Sequence, residues 1–94
     1  MTPAGDIMLD RVTAARMQDT STAGGDVLIW TVTAWPSDYP DKFAARPFSA
    51  RTGAPFPAVL LAGTLDALRD LMPSGLTLLR RDASDDPVIV ESWI

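Results

Sequence analysis

The side chains of this chain able to do chemistry are carboxylates, arginines and hydroxyls, because it contains no histidine and no cysteine. That absence removes the imidazole that titrates near neutral pH, the usual thiol nucleophile and both favoured ligands of structural zinc. Asp38 and Asp41 bracket Tyr39. Paired acids at such spacing can divide general-acid and general-base duty if burial or close approach separates their pKa values. The neighbours Pro36, Ser37 and Pro40 are turn formers, however, and turn capping accounts for both acids without burial. Asp82, Asp85 and Asp86 crowd a second turn. Their oxygens suit calcium, but the spacing departs from the Asp-x-Asp-x-Asp-Gly loop with its distal Glu, so no metal site is expected.

The basic residues offer a better signal. Lys42 and Arg46 share strand parity, Arg51 follows just past that strand, and Arg80 with Arg81 can lie near them. Guanidinium forks fit carboxylates and phosphates, so Lys42, Arg46 and Arg51 form a candidate patch for a small anion or an acidic partner. The plainer alternative is a solvated strand face neutralised by Asp41, Glu91 or Asp82. The serines, Ser37, Ser49, Ser74, Ser84 and Ser92 among them, have no histidine to act as base, which excludes a serine triad. A Ser-Lys pair would need a desolvated Lys42, and the glycines build neither a phosphate loop nor a dinucleotide fingerprint. No catalytic residue and no cofactor is assigned. A carboxylate enzyme using Asp38 and Asp41 stays as the third reading, behind interaction and anion binding.

The elements that would position these groups lie mainly in residues 26–94. Residues 27–35 are β-branched and aromatic, with Leu28, Trp30, Val32 and Ala34 on one face and Ile29, Thr31, Thr33 and Trp35 on the other. A proline-rich turn leads to a second strand over 42–50, where Pro47 cannot donate to a ladder, so that strand is an edge or breaks near Arg46. Residues 51–57 form a loop and 58–62 a short apolar strand. Thr64 then caps a helix whose Leu65, Leu68, Leu71 and Met72 make one apolar stripe, ended by Pro73 and Gly75. Strands over 76–80 and 87–94 complete the order β-β-β-α-β-β. The expected fold is α+β, a mainly antiparallel sheet of four to five strands with one helix on one face. Residues 1–25, with a weak stripe of Ile7, Met8, Val12 and Ala15 and a polar run to Gly24-Gly25, read as a flexible or partly helical arm, or as a start of translation placed too early.

One leucine-striped helix roofs one sheet face. The other, carrying Ile29, Thr31, Trp35 and by parity Trp93, is left semi-apolar, and Trp35 and Trp93 become candidate anchors for a partner. With 94 residues the chain makes one small domain, which buries a limited fraction of its surface and gains from self-association. A net charge of −4 disfavours nucleic acid, and no run reaches the roughly 20 apolar residues of a membrane span. The opening residues lack the basic stretch of a signal peptide, which makes the cytoplasm the default location. The expected partner is a protein or a second copy of the chain, as a homodimer. Arginine is strongly preferred to lysine and alanine is abundant, which reads as a GC-rich bacterial coding bias.

Three segments carry a resemblance. Tyr-Pro-Asp-Lys-Phe-Ala-Ala-Arg-Pro-Phe (39–48), Thr-Leu-Asp-Ala-Leu-Arg (64–69) and Asp-Asp-Pro-Val-Ile-Val-Glu-Ser-Trp-Ile (85–94) resemble a family of short uncharacterised bacterial proteins. The likeness covers about residues 26–94. That family has no assigned activity, so the resemblance implies a folding unit and no site residue.

Overall fold

The structure, a computed structural model, describes residues 6–79 and 89–94. In chain order the elements are β1 (Ile7–Met8), α1 (Arg11–Ala23), β2 (Leu28–Ala34), β3 (Phe43–Ser49), β4 (Ala58–Ala62), α2 (Leu65–Leu71), β5 (Leu78–Leu79) and β6 (Ile89–Trp93). They form an α+β domain around a six-stranded sheet of order β1-β4-β3-β2-β6-β5. β1 pairs in parallel with β4, and every other pairing is antiparallel. The sheet therefore has one strand more, and the fold one helix more, than the four to five strands and single helix expected. Both additions come from the segment read as an arm.

That segment is organised by capping rather than by apolar periodicity. Asp10 is the N-cap of α1: its carboxylate accepts from the Thr13 N–H at 2.8 Å, and its own N–H donates to the Thr13 hydroxyl at 2.8 Å. This reciprocal pair satisfies two of the donors a helix start leaves open. One α1 residue, Ala14, is fully buried, Met17 packs beside it, and Gln18 accepts from the Trp30 indole N–H at 2.8 Å. The helix rests on the sheet through those contacts. α2 conforms to its expected bounds, with the Thr64 hydroxyl accepting from the Ala67 N–H at 3.1 Å and Asp66 in the first turn, where the helix dipole favours an anion.

Both helices pack on the same sheet face. Leu28, Trp30 and Val32 of β2, Ala45 of β3 and Leu60 of β4 meet Ala14 of α1 and Leu68 of α2 in one core. Fully burying each large apolar side chain there stabilises the fold by about 1.5–3 kcal/mol. Trp30 is core, as its parity implied.

β3 is an interior strand, flanked by β2 and β4 and unbroken at Arg46, so neither alternative drawn from Pro47, an edge or a break, describes the strand itself. Alternate residues of an antiparallel strand bond to opposite neighbours. Ala50 and Lys42 bond toward β2, so Pro47, at odd offset, turns its backbone toward β4. The β3–β4 pairing stops at Ala45↔Leu60, and beyond it Pro47 contributes only its carbonyl, which accepts from Phe56 at 2.9 Å. The missing donor thus falls where the ladder has already ended.

Two tryptophans depart from the expected parity. Trp93 stands directly opposite Trp30 in the β2–β6 register and packs against the core under the helices. Alternation within a strand separates two faces but does not say which is which; register does, and β6 carries an irregularity opposite Val32/Thr33. Trp35 adopts a φ of 50°, a left-handed conformation costly for a bulky residue, which breaks the alternation at the end of β2. Its ring meets Phe43, 5.4 Å away between centroids, instead of joining the Ile29 row.

Among the described residues no helix is long and apolar enough to cross a membrane.

Candidate functional site

The sheet face away from the helices divides into two halves of different character. Over β1, β4 and the start of β3, the turn after β2 folds back so that Tyr39 packs on Ala44, Val59 and Leu61. Its hydroxyl donates to the Asp6 carboxylate at 2.9 Å. Arg46 reaches the same carboxylate through two nitrogens, at 2.8 and 3.2 Å, and reaches Asp38 at 3.1 Å. The Arg46 fork holds the Asp6 carboxyl below the usual carboxylate range, helped by Tyr39. Burial, then the hydrogen bond to Asp6, pushes the Tyr39 phenol up to about 12. Asp6 in turn raises the Arg46 guanidinium. This group borders a shallow groove with Pro55, Phe56 and Pro57.

Over β2, β6 and β5 the same face stays open among the described residues. Alternation and register bring Val27, Ile29, Thr31 and Thr33 together with Phe48, Ser92, Ile94 and Leu79. Val27 is 45% exposed, Leu79 38% and Ile94 38%, and Ile29 and Phe48 are half-buried. None of these side chains is charged, on a chain of net charge −4. Contiguous apolar surface of this kind marks interaction sites more often than scattered exposed leucines do.

On the helix-bearing side a small hollow of about 190 Å³ lies between the end of α2, the following turn and Trp93, lined also by Arg69, Met72 and Leu76. Its size falls below the roughly 300–1,000 Å³ of ordinary small-molecule sites. Beside it Glu91 is buried, and its carboxylate accepts from Arg69 at 2.5 and 3.2 Å and from the Trp93 indole N–H. Glu91 raises the Arg69 guanidinium. Every buried side-chain polar atom of the described residues has a partner, so this site offers no orphaned group to a ligand.

The structure does not gather the sequence-selected basic residues. Lys42 and Arg51 lie beyond opposite ends of β3, Arg46 is engaged by two carboxylates, and Arg80 and Arg81 fall outside the described residues. Arg51 is exposed, and its backbone N–H meets Asp26 at 3.3 Å. Trp35 is 60% exposed, whereas Trp93 is half-buried against the core. Asp38 accepts from Arg46, and Asp41 sits exposed one residue before Lys42. The acidic turn at 82–86 lies outside the described residues, among which no group of three acids is placed to hold a metal. Sequence reasoning missed Asp6 and Glu91 as anchors. Each has an arginine partner 40 or 22 positions away, a separation that no local spacing reveals.

No family model, curated protein or solved structure matches the chain.

Proposed function

We propose that this domain is a non-enzymatic interaction module, and that it works by pairing the open half of its sheet with the same surface of a second copy. The observation that carries the reading is the uncharged row of Val27, Ile29, Phe48, Leu79 and Ile94 beside Thr31, Thr33 and Ser92. Two chains of net charge −4 repel one another, so an uncharged surface lets them meet at the least electrostatic cost. The side chains named are uncharged, Arg46 opposite Thr31 at their border is already paired with carboxylates, and a patch of apolar and hydroxyl side chains is complementary to itself under two-fold symmetry. A small domain also gains stability from such burial.

The alternative, a small anion held at Lys42, Arg46 and Arg51, has weaker support, because the Arg46 fork already holds carboxylates and the other two cations lie beyond opposite ends of β3. Catalysis by Asp38 and Asp41 has weaker support still, with Asp38 tied to Arg46. Light scattering across a concentration series tests the proposal. A mass rising to that of two chains supports it, and a constant single-chain mass up to high micromolar concentration contradicts it.

A further inference from the structure

The turn that closes half of the sheet face is attached to that face by side chains alone. The Trp35 N–H donates to the Lys42 carbonyl at 2.9 Å, which pins the two ends of residues 36–41 together. Between those ends the Tyr39 N–H donates to the Pro36 carbonyl at 2.9 Å, and the Tyr39 carbonyl accepts from the Lys42 N–H at 3.2 Å. Among the described residues, no backbone bond runs from 36–41 to a strand or a helix. Ser37, Asp38, Pro40 and Asp41 are exposed, so the segment is held by the buried Tyr39 side chain and by the pair of Asp38 with Arg46.

What lies beneath is separate from the main core. Tyr39 packs with Ala44, Val59 and Leu61 in a cluster of its own, and no residue of 36–41 packs among Leu28, Trp30, Val32, Leu60 and Leu68 under the helices. The β3–β4 ladder below it, from Phe43↔Ala62 to Ala45↔Leu60, uses none of the segment's backbone. Lifting Tyr39 therefore bares Ala44, Val59 and Leu61 and leaves the ladder bonded.

The hinge is strained in the closed arrangement. Trp35 holds a φ of 50°, unfavourable for a bulky side chain. Rotation about its N–Cα bond swings the residues that follow it, which are 36–41, while its own N–H stays bonded to Lys42. Opening is thus the movement that relieves the strain, and a segment with one buried side chain is the kind that opens locally.

We infer that residues 36–41 are a hinged cover over the β1–β4 half of the face. The cover lifts about Trp35 as one piece, while the core, both helices and the Asp6–Arg46 fork stay in place, and it bares the apolar strip of Ala44, Val59 and Leu61. This opening is a property of the single chain. It stands or falls independently of pairing through the open half-face over β2, β6 and β5.

Relaxation-dispersion nuclear magnetic resonance on the full chain tests the inference, read at the Tyr39 amide and at the methyls of Ala44, Val59 and Leu61. The expected result is one shared microsecond-to-millisecond exchange process with an open population of about 1% or more, while the methyls of Leu28, Val32 and Leu68 give flat profiles. Asp38→Ala cuts the tie to Arg46 and is expected to raise the open population about two- to fivefold, the range for one exposed ion pair, with the core profiles still flat. Flat profiles at Tyr39 and its three neighbours overturn the inference. Exchange shared with the core does so as well, since it reports unfolding of the whole domain, and so does an Asp38→Ala variant whose open population does not rise.

Discussion

Asp6 and Arg46, 40 positions apart in sequence, meet as a two-pronged pair at 2.8 and 3.2 Å across the sheet face opposite the helices. The pair ties the first strand to the interior strand β3, and with Tyr39 and Asp38 it closes half of that face. Replacing Asp6 by Ala removes the acceptor for three hydrogen bonds and is expected to lower unfolding free energy by about 1–3 kcal/mol, measured from urea midpoints. Arg46→Ala is expected to cost at least as much, since it leaves the Asp6 carboxylate without its cation.

The same cluster sets the pH dependence at both extremes. The folded Asp6 carboxyl titrates below its ordinary value of 3.8, so its contribution is complete above that value and disappears as pH falls through the lowered one. Asp10 and Asp26, each lowered by hydrogen bonds, act with the same sign. Tyr39 has the opposite sense. Its phenol is raised from 10.0 to about 12, so its contribution is complete below pH 10 and is lost as pH rises toward 12. It is the single tyrosine of the chain, so the ultraviolet absorbance of tyrosinate reads it alone. The expected midpoint is near 12, and Asp6→Ala shifts it downward.

The tryptophans are expected to separate sharply by stability. Trp30→Ala empties a fully buried site and costs about 3–5 kcal/mol. Trp35→Gly loses the contact with Phe43, worth about 0.5–1.5 kcal/mol, but relieves a left-handed conformation costing about 1–2 kcal/mol. The net change in unfolding free energy, read from urea midpoints, is expected between a loss of about 0.5 and a gain of about 1.5 kcal/mol.

Arg69 and Glu91 make a second test of pairing, on the helix side. Arg69→Met leaves the buried Glu91 carboxylate with the Trp93 indole as its remaining named donor and is expected to destabilise by about 1–3 kcal/mol. Adding Glu91→Gln restores part of that loss, because the second substitution removes the stranded charge. A double-mutant cycle in urea measures the coupling.

Much of the fold was legible because the central strands follow simple period-two alternation and α2 carries a Thr cap, an apolar stripe and a proline stop. Residues 58–62 and the cap at Thr64 stand where the sequence put them. β1 was not legible, and α1 was legible only as partial helicity of an arm, for a physical reason. The helix Arg11–Ala23 has one fully buried residue, so its apolar signal is weak, and its start is marked by an Asp-x-x-Thr box in place of the commoner Ser-x-x-Glu. Trp93 was read onto the open face because a strand's own alternation cannot choose the face. Trp35 was read there because nothing local announces a positive φ. That Ile29, Thr31 and Thr33 share a face was legible from parity alone. The ion pairs that divide the open half of that face from the closed half were not, being made between residues distant in sequence.

The most direct test of the account is sedimentation velocity of the full chain and of its Ile29→Lys and Leu79→Lys variants at high micromolar concentration. Both substitutions place a charge on the open half-face without entering the core, so the variants are expected to keep the wild-type circular dichroism. The account requires a two-chain species for the wild type and single chains for both variants. A wild type that sediments as one chain throughout that range, or variants that associate as strongly as it does, would contradict it.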